Sequence, residues 1–324
     1  MEETRESPGV SLGRARDPES AALAEQGRRL LVGGTSEACL KGLALLREAS
    51  RRGSAEAAQL LSVCAAWGVA QPRDLRLALS FLESAARLGS SSALSELRIL
   101  ARDPTGDPAT LRRRIDLRSW TTPTPARSLR ERPRVTAFER FLSPEECDWL
   151  IERGRPGLKR AQVYRQSSTP KTAETRTNSE ADFTIFRADV VLSLIRDRIS
   201  NAAGVPVSHF EITKLLHYAP GEQFALHADF IEPRTPELVR QIQMIGQRAL
   251  TFLVYLNEDY EGGATHFPKL GLQNRGARGD ALLFSNVDAA GAPDYDTLHA
   301  GLPPTRGEKW LLSQWIRTRA ITPG

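Results

Sequence analysis

The chain has 324 residues, 40% of them hydrophobic and 26% charged, with a mean hydropathy of −0.35. That balance excludes collagen-like, disordered and membrane-embedded classes, and no run approaches the roughly 18 apolar residues of a membrane helix. The formal charge is +5 and uneven: residues 1–130 hold 20 Lys and Arg against 15 Asp and Glu, whereas residues 131–324 hold 24 of each. This is a weak field, and no nucleic-acid motif stands beside its one tight cluster (Arg112, Arg113 and Arg114), so neither nucleic acid nor membrane is expected as a partner.

Residues 1–20 carry Pro, Gly and charge without periodicity and read as a disordered tail; they are acidic and polar where an export signal would be basic and then apolar. Cys39, Cys64 and Cys147 are far apart and form neither a disulfide framework nor a CxxC pair, which predicts a cytoplasmic protein.

From 21 to 102 the texture is Ala, Leu, Arg and Ser at helical spacing, with an internal repeat. LLREASRRGSAEAAQLL (45–61) aligns with FLESAARLGSSSALSEL (81–97), matching Leu46 to Leu82, Ala49 to Ala85, Gly53 to Gly89, Ala57 to Ala93 and Leu61 to Leu97. A period in the thirties built from paired helices predicts a short α-solenoid. The pattern resembles the Sel-one-like subgroup of tetratricopeptide repeats, which implies a module that recruits a partner. Residues 103–134 hold prolines at 104, 108, 123, 125 and 133 and read as an extended linker.

Residues 135–320 alternate short β-rich runs (KLLHYAP, ALTFLVYLN, ALLFSNV, WLLSQWIR) with turn residues, after two predicted helices at 143–154 and 188–204. Ser143, Pro144 and Glu146 make a capping box at the start of the first. The stretch 165–182 reads as a surface loop long enough to be a lid, and 232–247 is an insertion between two strands. The expected fold is multidomain α plus β: the short α-solenoid, then a jelly-roll barrel (a double-stranded β-helix) with supporting helices.

His227 and Asp229 in FALHADF are two residues apart, so a strand would aim an imidazole and a carboxylate at one point. His299 follows at the end of a polar turn and Lys309 ten residues later on a β-rich run. Two imidazoles and a carboxylate on one side of iron leave other positions open to a chelating cosubstrate. A dicarboxylate cosubstrate needs a cation at its far end, and a lone Lys on a core strand is otherwise costly. His217 faces away from Tyr218, His266 sits beside a Gly-Gly turn and His209 lies in a turn without an evident partner, so all three read as structural.

HYAPGEQFALHADF, RALTFLVYLN, YEGGATHFP, RGDALLFSNV and LHAGLPPTRGEKWLLSQWIR together resemble, in order and spacing, the catalytic domain of the prolyl 4-hydroxylases, among the iron(II)- and 2-oxoglutarate-dependent dioxygenases. The resemblance covers about 135–319. It implies that His227, Asp229 and His299 hold Fe(II) and carry catalysis, and that Lys309, Tyr218 and Thr251 bind 2-oxoglutarate. It further implies that Arg176, Glu211, Arg248 and Trp315 line a substrate groove, and that L-ascorbate serves as a reductant. The expected reaction is hydroxylation of a C–H bond of a peptide or protein, a prolyl residue first, with the helical repeats recruiting it. Phe224, Arg317 and Ala264 depart from the family's usual Tyr, His and Glu. They keep open two alternatives: the same chemistry on a free amino acid or small metabolite, and a non-catalytic repeat scaffold with a relict barrel.

Overall fold

The computed structural model describes residues 18–32, 34–161 and 175–321, in two compact units. The first takes the chain up to Leu97 together with 107–112; the second takes 98–106 and everything from Arg113.

The first unit is built from helices α1 (Pro18–Val32), α2 (Ser36–Arg51), α3 (Ala55–Trp67), α4 (Leu75–Arg87) and the start of α5 (Ser91–Ala101). Thr35, Ser54 and Asp74 cap three of them, each side chain accepting a backbone N–H that the first turn leaves unpaired. The repeat is structural. Gly53 and Gly89 occupy equivalent turns at φ +93° and +94°, where a β-carbon would be strained. The matched pairs Leu46/Leu82, Ala49/Ala85, Ala57/Ala93 and Leu61/Leu97 are all buried, so the period-36 pattern is the core itself. α1 opens at Pro18, so order begins before residue 21; residues 1–17 of the expected tail lie outside the described residues.

The expected linker is also more ordered than its prolines suggest. It holds α6 (Pro108–Arg114), α7 (Leu117–Thr121) and strand β1 (Ala126–Arg130). Pro108 starts a helix rather than breaking one, because its missing N–H would be unpaired there anyway. Trp120 is buried, its indole donating to Leu100 O at 2.8 Å while its own carbonyl accepts from Arg198. Arg112 pairs with Glu83 at 3.0 Å and Arg114 with Asp103, so two of the three clustered arginines meet the chain's own carboxylates.

The second unit continues with β2 (Val135–Phe138), α8 (Pro144–Gly154), β3 (Lys159–Arg160), β4 (Ser179–Asp182), α9 (Val190–Ala203), β5 (Lys214–Tyr218), β6 (Phe224–His227) and α10 (Pro236–Ile245). Then come β7 (Arg248–Tyr255), β8 (Glu261–Gly262), β9 (Thr265–Phe267), β10 (Leu272–Asn274), β11 (Ala281–Ser285), β12 (His299–Gly301), β13 (Pro304–Arg306) and β14 (Lys309–Arg317). An eight-stranded antiparallel sheet runs β1-β2-β11-β7-β14-β5-β4-β3, and a four-stranded one runs β10-β9-β12-β6. The core cluster draws on both: Leu216, Tyr218, Leu253 and Leu311 from the larger sheet meet Phe267 of the smaller. On the other face of β14, Gln314 accepts from Thr213 at 2.6 Å and from Arg196 of α9.

One sequence reading changes here and another gains detail. The loop expected over 165–182 gives way to strand at Ser179, because β4 pairs with β5 and Glu180 is buried between Arg176 of the same stretch and Lys214 of β5; residues 162–174 lie outside the described residues. The insertion 232–247 forms α10, capped by Thr235 with Pro236 at its start.

The Ser143/Glu146 capping box is present at α8, and Glu146 also takes a bidentate pair from Arg198 at 2.8 and 3.0 Å. Ser143→Ala removes only the cap's hydroxyl. It is expected to lower stability by about 1 kcal/mol, read from the denaturant midpoint.

Candidate active site

Strand periodicity builds one cavity between the two sheets. On β14 the alternate residues Lys309, Leu311, Ser313 and Trp315 face it; on β5 Lys214, Leu216 and Tyr218 do. The smaller sheet contributes Phe224, His227, Thr265 and His299, and the space with its mouth is about 450 Å³.

His227 and His299 are direct cross-strand partners of β6 and β12, with ring centroids 4.3 Å apart. Each Nδ1 faces a backbone carbonyl, Ala225 O at 2.8 Å and Thr297 O at 3.1 Å. A carbonyl only accepts, so each Nδ1 carries the proton and each Nε2 presents a lone pair. Those Nε2 atoms lie 3.6 Å from Asp229, His227 from Oδ1 and His299 from Oδ2. The three possible ligand atoms fall within 4.8 Å of one another.

Asp229 is not on the strand, which stops at His227; it sits in the turn beyond. Burial opposes its charge, yet the positive charge that His299 and His227 carry when protonated, with the Thr251 hydroxyl, outweighs burial and holds the carboxyl below the usual range. Burial, then the neighbouring His227, lowers His299 to about 4, so it is neutral at physiological pH, the form that binds metal. Two imidazoles and a carboxylate in this arrangement fit a divalent iron with positions left open. The face of His227 is covered by the Phe224 ring, stacked at 3.4 Å and 7°. The Arg176 guanidinium lies 4.4 Å from that ring.

Lys309 is fully buried, and its Nζ has no hydrogen-bond partner among the described residues. The ring centroids of Tyr218 and Tyr255 lie 5.1 and 5.8 Å from it. Burial alone pushes its pKa down to about 7. An orphaned ammonium in a cavity that also holds a metal triad is what a chelating dicarboxylate requires, so the residues present fit 2-oxoglutarate as well as iron. Tyr218 pairs in register with Lys309, and burial raises its pKa, which keeps its hydroxyl protonated as a donor on the cavity wall.

Other expected contacts fall differently. Thr251 is set back from the cavity: its hydroxyl donates to Asp229 Oδ2 at 2.6 Å rather than to the space for the cosubstrate. Arg176 and Trp315 line the cavity, but Arg176 is already bound to Asn178 and Glu180. Glu211 and Arg248 do not line it. They form a bidentate pair at 2.7 and 2.9 Å, Glu211 also accepts from Arg317 at 2.6 Å, and the Arg248 guanidinium lies 3.6 Å from the Trp315 ring centroid. These groups brace Trp315, because buried charges need partners and find one another first. His217 contacts Glu308 and packs at a tilt against Trp310, and His209 does have a partner, Arg317 O at 3.0 Å.

Sequence reasoning missed Lys214 and Asn286. Lys214 was recoverable, since it is four residues from Tyr218 on one strand face. Asn286 follows β11 with no local signal; its buried amide donates to Thr251 Oγ1 at 2.9 Å.

A family model described as the 2OG-Fe(II) oxygenase superfamily matches residues 213–317. The chain is 30% identical over 230 residues to Probable prolyl 4-hydroxylase 4 of Arabidopsis thaliana, covering 63% of this chain and 75% of that protein. It is 32% identical over 190 residues to prolyl 4-hydroxylase subunit alpha-1 of Rattus norvegicus, covering 58% of this chain but 35% of that one. A solved structure of the viral collagen prolyl hydroxylase of Paramecium Bursaria Chlorella virus-1, as a 2OG complex, is 26% identical and covers 58% of this chain and 96% of its own, with a TM-score of 0.45. The metal triad, the buried lysine and the 75% coverage of an Arabidopsis relative lead to one conclusion: the chain belongs to the prolyl 4-hydroxylase-like family of 2-oxoglutarate- and iron(II)-dependent dioxygenases.

Proposed function

We propose that the protein hydroxylates a prolyl residue of a peptide or protein. The observation that carries this reading is the juxtaposition, in one cavity, of the His227, Asp229 and His299 triad with the orphaned Lys309 ammonium. The names of the curated relatives, prolyl 4-hydroxylases, support the substrate class. Iron and 2-oxoglutarate, when bound, supply activation of dioxygen and oxidation of an unactivated C–H bond.

The chain's own part is to bind, orient and exclude water. Lys309 neutralises the far carboxylate of the cosubstrate, and Tyr218 offers a hydroxyl from the same wall. Leu216, Leu253 and Leu311 keep that wall apolar. Trp315 presents an aromatic side chain to the cavity, suited to a pyrrolidine ring. Arg317 does not bring a free charge to the substrate, since it is buried and held by Glu211.

The two sheets are read as a double-stranded β-helix, and the helical repeats as a Sel-one-like solenoid that brings the substrate chain to the cavity. L-Ascorbate serves as reductant in uncoupled turnover. The compartment we assign, on the spacing of the three cysteines, is the cytoplasm.

The test is anaerobic loading with Fe(II) and 2-oxoglutarate, then air and a panel of proline-containing peptides and free amino acids. Succinate formation coupled to gain of one oxygen atom on a prolyl residue is expected. Coupled turnover of free amino acids alone would overturn the peptide substrate.

A further inference from the structure

Strand register does not hold Asp229 in place. His227 and His299 are paired across β6 and β12, but Asp229 lies in the turn past the end of β6. Its carboxylate needs another anchor, and the larger sheet provides one. Thr251 sits in β7 between its neighbours in β11 and β14, opposite Phe284 and Trp315. Its hydroxyl donates to Asp229 Oδ2 at 2.6 Å, and Asn286 Nδ2 donates to Thr251 Oγ1 at 2.9 Å.

Chemistry fixes the direction of both bonds. An ionised carboxylate only accepts, so Thr251 gives it its single proton; Thr251 must then accept from Asn286, which can offer only its N–H. Asn286 is itself immobile. Its backbone N–H donates to Ala249 O at 2.7 Å and its carbonyl accepts from Asp294 N at 3.1 Å. Its side-chain Oδ1 is buried without a partner among the described residues, so the amide is not there to satisfy both of its ends.

We infer that Asn286 and Thr251 are positioning residues: their hydrogen-bond chain holds Asp229 Oδ2 and so fixes the orientation in which the carboxylate is presented to the metal. This rests on the metal-triad reading above. It replaces a cosubstrate contact for Thr251 with a role exerted through the aspartate.

The test uses Co(II) as probe, titrated anaerobically into the full chain without 2-oxoglutarate and followed by visible absorption. Thr251→Val keeps the shape and removes the proton. It is expected to weaken Co(II) binding about tenfold or more, whereas Thr251→Ser, which keeps the hydroxyl, stays close to wild type. The affinity of Co(II)-loaded Thr251→Val for 2-oxoglutarate is expected to match wild type. Wild-type Co(II) affinity in Thr251→Val would overturn the inference, all the more if that variant lost affinity for 2-oxoglutarate. If Thr251→Val does not fold, Asn286→Ala, which frees the hydroxyl to rotate, is measured instead; it should bind Co(II) several-fold more weakly, and unchanged binding would equally overturn the inference. Wild-type protein that holds Co(II) yet never turns over a peptide would defeat the proposed substrate and leave this assignment standing.

Discussion

Replacing His299 with alanine is expected to lower 2-oxoglutarate turnover by at least about a thousandfold, roughly 4 kcal/mol of lost stabilisation. The imidazole is buried, its Nδ1 is committed to the Thr297 carbonyl and its Nε2 faces Asp229, so no other side chain can take its place. Co(II) affinity should fall in parallel, which separates loss of metal from loss of substrate binding. Circular dichroism should stay near wild type, because the neutral imidazole bears no charge that the fold depends on. A His299→Ala protein that bound Co(II) as tightly as wild type would remove the triad as the metal site.

Lys309→Met should raise the 2-oxoglutarate concentration needed for half-saturation by about two orders of magnitude while leaving Co(II) affinity unchanged. The same variant should make the cosubstrate-free protein more stable at pH 6, by a few kcal/mol, because an unpaired buried ammonium is replaced by an apolar chain of similar length. The pH dependence carries a definite sign. The folded protein releases the Lys309 proton near 7, whereas an unfolded chain keeps it up to the ordinary value of 10.5. Between those limits the unfolded state binds more protons, so wild-type stability rises with pH across the window, and the slope is absent in Lys309→Met. Cosubstrate affinity moves the other way. Below about 7 the ammonium is already charged; above it, binding must take up a proton, so affinity should fall by up to about tenfold per pH unit. Calorimetric titrations from pH 6 to 9 check both trends, and a flat profile would show that Lys309 does not meet the dicarboxylate.

The parts legible in the chain were those written in short-range patterns. The period-36 repeat marked the buried Leu and Ala positions of the helical unit, and the β-rich run after His299 marked Lys309 as a lysine on a core strand. The substrate-side charges were not legible. Glu211, Arg248 and Arg317 look in sequence like three groups free to bind something, but folding places them against one another. The same holds for the expected linker, where Trp120 gains its burial and its hydrogen bond from residues outside the run of prolines.

Local spacing alone therefore determined the chemistry on offer: two imidazoles and a lysine on strand-forming segments, with a carboxylate just past the end of one. Tertiary structure decided which atoms meet. The register of β6 against β12 brought His227 opposite His299, and Thr251 and Asn286, from the other sheet, hold Asp229 toward them. The division follows from physics: side-chain periodicity is a property of one strand, whereas the hydrogen bond across 22 residues from Thr251 to Asp229 exists only after two sheets have closed around a common core.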